Sequence, residues 1–131
     1  MPTMANITVK AADGTTDKVY TALAGSSGEG VAAQWRHEDG SLPTAFRPSF
    51  KMTARGSTSG RRITETLHVR PITQVVNGVY SQIGVHTVRT IDTLVMTDAT
   101  ANVNEAVAQG ANLNASTLIK QANQEGYAPR G

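Results

Sequence analysis

The stretch from residue 46 to residue 96 constrains this chain most, because it alternates apolar and polar side chains and is rich in β-branched residues. That period is the mark of half-buried strands. Along residues 61–70, Ile63, Leu67 and Val69 fall on one side, with Glu65 as an exception among them. Arg62, Thr64, Thr66, His68 and Arg70 fall on the other. Along residues 47–55, Phe50, Met52 and Ala54 alternate with Arg47, Ser49, Lys51, Thr53 and Arg55. Successive strand side chains face opposite sides of a sheet. The pattern therefore predicts a sheet with one apolar face and one basic, hydroxyl-rich face. Residues 83–97 read as a further long strand whose facing is ambiguous. Val85, Ile91 and Val95 share one parity, and Val88, Leu94 and Met96 share the other, which either a bulge near Arg89 or burial of the strand on both faces over part of its length would explain.

The flanking segments fit around that sheet. Residues 5–11 and 17–23 read as a hairpin turning at Asp13-Gly14, and a lone hairpin is marginal in water, so it must pack on something. Residues 25–30 are a glycine- and serine-rich connector. Residues 31–37 read as a short strand whose Trp35 buries its ring at a core or subunit edge. Pro48 lacks a ladder donor and marks an irregular strand start. Residues 56–60 are a glycine-bounded hairpin loop, the strand of residues 61–70 ends at Pro71, and residues 72–82 are less regular around an Asn77-Gly78 turn. The period then changes to a helical one. Val103, Ala106, Val107 and Ala111 define a helix over about 100–111, with Asn102 and Glu105 in capping-box spacing. Ala115, Leu118, Ile119 and Ala122 define a second over 115–125, stopped by Gly126. The fold class is α+β: an N-terminal β-hairpin (1–24), an antiparallel sheet of about five strands (31–97) and two C-terminal helices (100–126), in a single domain spanning 1–131.

Those helices carry few large apolar residues, namely Val103, Val107, Leu113, Leu118 and Ile119. They are too small to cover so wide a sheet. A two-fold dimer, with helices crossing between subunits, would complete the core. The alternative is a monomer whose N-terminal hairpin folds over the same face.

Composition excludes several kinds of function. No apolar run approaches the ~18 residues of a membrane span, and residues 1–5 show no apolar signal region. The chain has no cysteine, so it has no disulfide, thiolate nucleophile or thiolate zinc site. His37, His68 and His86 lack the close spacing of a helical metal site, and no phosphate loop or nucleophile elbow is present. His68, His86 and Asp92 would make a catalytic group only if the strands gathered them. The chain is expected to have no enzymatic activity, no cofactor, no metal, no small-molecule substrate and no membrane partner. Net charge is only +2, yet half of the twelve basic residues lie between Arg47 and Arg70, as Arg47, Lys51, Arg55, Arg61, Arg62 and Arg70. Such a local field either recruits a polyanion or keeps an exposed sheet soluble. Hydroxyls beside cations favour a nucleic acid. On the alternation, Lys51, Thr53, Arg55, Arg62, Thr64 and Thr66 share one face, and Arg89 joins them if its register permits.

The order of elements resembles the coat proteins of single-stranded RNA bacteriophages, the leviviruses. The resemblance rests on the N-terminal hairpin, the Val31-Ala-Ala-Gln-Trp35 segment, the basic strand ending at Pro71, the Asn77-Gly78 loop, the two closing helices and the Asn-Gln-Glu-Gly-Tyr segment at 123–127. It covers essentially the whole chain. It implies an intertwined homodimer with a continuous ten-strand sheet, dimers assembled into an icosahedral shell, and genomic single-stranded RNA on the inner sheet face. In studied members one RNA hairpin at the replicase start is also bound, so the coat represses translation. The implied location is the virion capsid, assembled in the bacterial host cytoplasm. By position, the implied RNA-binding residues are Lys51, Thr53, Arg55, Arg62, Thr64 and Thr66, with Thr87 and Arg89 on the last strand. The loop at 74–80 resembles the one that gathers at shell symmetry axes. Two departures stand out: Thr87 or His86 takes the place of a base-stacking aromatic, and no cysteine is available to cross-link the loop. The alternative reading is a small dimeric RNA-binding regulator that forms no shell.

Overall fold

The computed structural model describes residues 2–57 and 60–131. Its strands are β1 (Ile7–Lys10), β2 (Asp17–Ala24), β3 (Ala33–His37), β4 (Ser49–Gly56), β5 (Arg61–Val76) and β6 (Val79–Val95). A short 3-10 helix, Thr44–Phe46, leads into β4, and helices α1 (Thr100–Asn114) and α2 (Thr117–Glu125) close the chain. The strands form one antiparallel sheet in sequence order. The α+β class is as expected, but the N-terminal hairpin is not a separate layer. Its β2 strand pairs with β3, and a bulge between Ala22 and Ala24 bends the ribbon there. At the hairpin turn, the Asp13 carboxylate accepts from the backbone N–H of Thr15 and Thr16 and from the Thr16 hydroxyl. The hydroxyl bond leads these in pulling the Asp13 pKa down to about 2.

Pairing between β4 and β5 differs from the alternation-based expectation. Ser57 N–H donates to Arg61 C=O at 2.9 Å, and three residues separate the two in sequence. Thr58 and Ser59, the middle of the expected hairpin loop, lie outside the described residues. Gly60 holds φ +76°, the left-handed conformation common before the returning strand. An odd loop pairs residues of equal parity, so Phe50 lies opposite His68, Met52 opposite Thr66 and Lys51 opposite Leu67. Directly opposed residues share a face. Each face is therefore mixed, with apolar residues of one strand beside polar residues of the next.

At the other end of β5 the chain does not lose order at Pro71. Strand β5 continues to Val76, and β6 starts at Val79 after a two-residue Asn77-Gly78 turn with φ +52° and +76°. These are the positive angles a tight hairpin turn requires. The register shifts opposite Ile72/Thr73, because Ile72 faces Gly84 while Thr73 faces Gln82. The extra residue is thus Ile83 rather than one near Arg89. Beyond it the pairing from Val85 to Val95 is unbroken, so β6 carries apolar residues on both faces, Ile91 and Val95 on one and Val88 and Leu94 on the other.

Helix α1 starts at Thr100, not through the expected Asn102–Glu105 box. Asp98 accepts from Ala99 N–H at 2.8 Å and from the Asn102 amide at 3.2 Å, while Glu105 accepts from Gln109. Helix α2 is capped by the Ser116 side chain, which accepts from Ile119 N–H, and ends at Gly126 with φ +78°. Neither helix has a buried residue, and α1 meets the sheet chiefly at β6.

Among the described residues only Trp35 and Pro48 are buried. Trp35 leans on Phe50 with ring centroids 5.6 Å apart, and its Nε1–H donates to Ala5 C=O at 2.8 Å. Beside it Tyr20 contacts both His37 and His68, with Tyr20 Oη and His68 Nε2 2.8 Å apart. Burial, helped by the nearby Arg70 charge, pushes the His68 pKa below the usual 6.5. His68 is thus more readily protonated in the unfolded chain, so its contribution to stability is complete above about pH 6.5 and is lost as pH falls through the folded value. Two outcomes follow for thermal unfolding. Trp35→Ala costs about 3–5 kcal/mol per chain, seen as a large drop in midpoint. The wild-type midpoint falls on acidification below about pH 6.5, and His68→Gln flattens that fall.

Candidate nucleic-acid interface

The register sorts the candidate residues into two groups. One face carries Lys51, Thr53 and Arg55 from β4, Ile63, Glu65, Leu67 and Val69 from β5, and Thr87, Arg89, Ile91 and Thr93 from β6. The other carries Phe50, Met52 and Ala54, then Arg62, Thr64, Thr66 and His68, then Val88, Thr90, Asp92 and Leu94. Trp35 lies opposite Phe50 and joins this second face. Five of the eight predicted contacts, Lys51, Thr53, Arg55, Thr87 and Arg89, thus share the Lys51 face. Arg62, Thr64 and Thr66 do not; they lie on the Trp35 face, because the odd β4–β5 loop pairs Gly56 with Arg62 and Ala54 with Thr64.

Local pairing separates the two groups further. Arg62 Nη1 donates to Glu29 Oε1 at 2.7 Å, and Glu29 also accepts from Gly56 N–H at 2.7 Å. Those bonds, led by the one from Arg62, hold the Glu29 pKa below its usual value. Arg62 thus ties the connector of residues 25–30 to the end of the sheet. On the Lys51 face, Lys51, Arg55, Thr87 and Arg89 are exposed. Arg89 Nε meets Glu65 Oε1 at 3.1 Å, so the acid among these cations is paired.

Two further groups on this face were not singled out by the sequence. Arg61 is exposed and pairs opposite Val95, and Gln34 lies opposite Lys51. Arg61 was visible as part of the basic segment, but its side depends on the register. The cations Lys51, Arg55, Arg61 and Arg89 against one carboxylate make this an electropositive surface. Thr53, Thr87 and Thr93 add hydroxyls suited to phosphate or sugar oxygens. From β6 it presents Thr87 where a stacking aromatic was sought, while His86 lies on the opposite side, facing Arg70.

The alternative catalytic grouping does not form. His68 and His86 are diagonal neighbours, but Asp92 is six residues from His86 along β6, roughly 20 Å at the strand rise. Among the described residues no cluster of histidine and carboxylate groups could hold a metal ion. No helix among them is long and apolar enough to cross a membrane.

A six-stranded antiparallel sheet followed by two C-terminal helices is the fold of levi-like phage coat proteins. The virus-like particle protein of Beihai levi-like virus 21 superposes with a TM-score of 0.83 at 18% identity, covering 99% of this chain and 100% of that one. The virus-like particle protein of bacteriophage NT-214 gives 0.83 at 11% identity over 98% and 100%. The bacteriophage GA capsid protein gives 0.73 at 19% identity over 94% and 95%. No family model and no curated protein matches the sequence. At such identities the likeness is one of fold.

The absence of native cysteine makes the register directly testable. Thr53→Cys with Glu65→Cys places two thiols opposite each other on one face, within disulfide reach. It should oxidise readily to an intrachain bond, seen as a mobility shift on non-reducing gels. Thr53→Cys with Thr64→Cys points the thiols to opposite faces and should stay reduced.

Proposed function

We propose that the chain is a structural coat subunit of a single-stranded RNA bacteriophage, without enzymatic activity, whose Lys51 face lines the shell interior and holds genomic RNA. The carrying observation is the missing core. A folded monomer of 13.8 kDa exposes roughly 6,600 Å², whereas this chain exposes 9554 Å². The excess, roughly 2,900 Å², is well above the ~800 Å² that one partner contributes to a standard interface. Such a chain needs a homodimer partner over its Trp35 face and further copies beyond the dimer. Exposed Val88 on that face and Met96 beyond it, with Leu113 and Leu118 on the helices, are the apolar surface a second copy would cover. Val75, Val76 and Val79, exposed at the β5–β6 tip, suit a contact between dimers in an icosahedral shell.

Lys51, Thr53, Arg55, Thr87 and Arg89 are the proposed RNA contacts, with Arg61 added. Arg62, Thr64 and Thr66 are assigned instead to the covered face. The fold supports the coat reading over a regulator that stops at the dimer, since each of the three similar proteins above is a capsid or virus-like particle subunit. Binding through phosphates suits packaging of a long genome, and a replicase-start hairpin would be held by the same face.

Expression in bacteria followed by electron microscopy and nuclease treatment tests this. Uniform hollow spheres with protected RNA are expected. Lys51→Ala with Arg55→Ala should lower RNA content and reduce the salt dependence of binding by about one unit of slope per cation, with dimers intact. Arg62→Ala should leave RNA content unchanged. Equal RNA loss in Arg62→Ala would overturn the face assignment, and a species no larger than a dimer would overturn the shell.

A further inference from the structure

One group on the Lys51 face is out of place for a surface that only neutralises phosphates. Glu65 sits at its centre. Thr53 and Ile91 lie directly opposite it on the two neighbouring strands. The row on one side is Lys51–Leu67–Arg89, and the row on the other is Arg55–Ile63–Thr93. Lys51, Arg55 and Arg89 are therefore each one diagonal step from the carboxylate, a distance long side chains span. Ile63 and Leu67 flank it along its own strand, and Ile91, 55% exposed, lies across from it. The result is a carboxylate bordered by aliphatic side chains and ringed by three cations.

A phosphate cannot settle at the centre of this ring, because it would meet a like charge there. The cations favour phosphates at the rim, and the aliphatic patch favours a flat base in the middle. Unpaired bases are read on their Watson–Crick edges, and a carboxylate there accepts but does not donate. Guanine is the base that presents two adjacent donors on that edge, N1–H and the N2 amino group, spaced to meet both oxygens of one carboxylate. Uracil presents an N–H flanked by two acceptors, which Glu65 repels. Arg89 meets Oε1 through Nε, which restrains the carboxylate and leaves Oε2 and the second lone pair of Oε1 able to accept.

We propose that Glu65 is a specificity-determining residue that reads the Watson–Crick edge of an unpaired guanine while Lys51, Arg55 and Arg89 hold the flanking phosphates. This rests on the RNA-binding reading of the Lys51 face and adds a base preference to it. With Thr87 rather than an aromatic at that position of β6, the preference comes from hydrogen bonding.

The test uses the full chain, stripped of nucleic acid, and short labelled oligouridylates carrying one central guanosine, inosine, adenosine or no replacement. Inosine lacks only the N2 amino group. Fluorescence anisotropy at several salt concentrations reads affinity. Wild type is expected to prefer guanosine over inosine by roughly five-fold or more. Glu65→Ala should bind plain oligouridylate more tightly than wild type, since a repelling charge is gone, and should lose the guanosine preference. Glu65→Gln, with closely similar side-chain size, should weaken the preference with an unchanged circular dichroism spectrum. Equal wild-type affinity for all four oligonucleotides would overturn the role of Glu65 while leaving the RNA face standing, as would a guanosine preference retained in Glu65→Ala. Failure of wild type to bind any of them in a salt-dependent way would overturn the RNA reading itself.

Discussion

The pairing of Phe50 with His68 across β4 and β5 decides what each side of this sheet is made of. It follows from an odd number of residues between Ser57 and Arg61. With an even loop, Phe50 would oppose Leu67 or Val69, and the apolar residues of β4 and β5 would share one face, with Glu65 the exception. The observed register instead mixes them. It brings His68 to the side where Phe50 meets Trp35, and it brings Glu65 to the side of Lys51 and Arg55, where Arg89 of β6 meets it. A one-residue slip in a strand exchanges its whole set of side chains between faces.

That arrangement leaves the chain without an interior of its own. The sheet is a single layer with helices attached mainly at the β6 side, and neither helix buries a residue. The hydrophobic effect cannot hold such a layer flat in water on the strength of one buried tryptophan. Strand pairing shapes the chain, and under the proposed function apolar contact with other copies supplies the rest. The same openness that makes the single chain incomplete leaves the Lys51 face accessible to a ligand.

Element identity was legible in the sequence because it depends on local periodicity. The strands, the switch to helical spacing after residue 100, the Asn77-Gly78 turn and the Gly126 stop all follow from neighbouring residues. The shortage of large apolar residues on the helices was legible too, and neither helix buries a residue. What could not be read was how strands register against each other. Arg62, Thr64 and Thr66 were grouped with Lys51, Thr53 and Arg55 because each set is polar, and polarity carries no information about loop parity. The Ile83 bulge is a similar case, since an extra residue in a long β-branched strand leaves no compositional mark. The Glu65–Arg89 pair was foreseeable in kind, as a lone acid among bases, but its central place became visible only once three strands were aligned.

The most direct measurement is sedimentation of the full chain over a wide concentration range, with circular dichroism on the same samples. If the sheet needs other copies to complete its core, folded protein should sediment only as dimers or larger species. Dilution should then lead to unfolding rather than to a folded monomer. A stable, folded 13.8 kDa monomer with a cooperative thermal transition would contradict the account, since the two faces would then be complete without any partner.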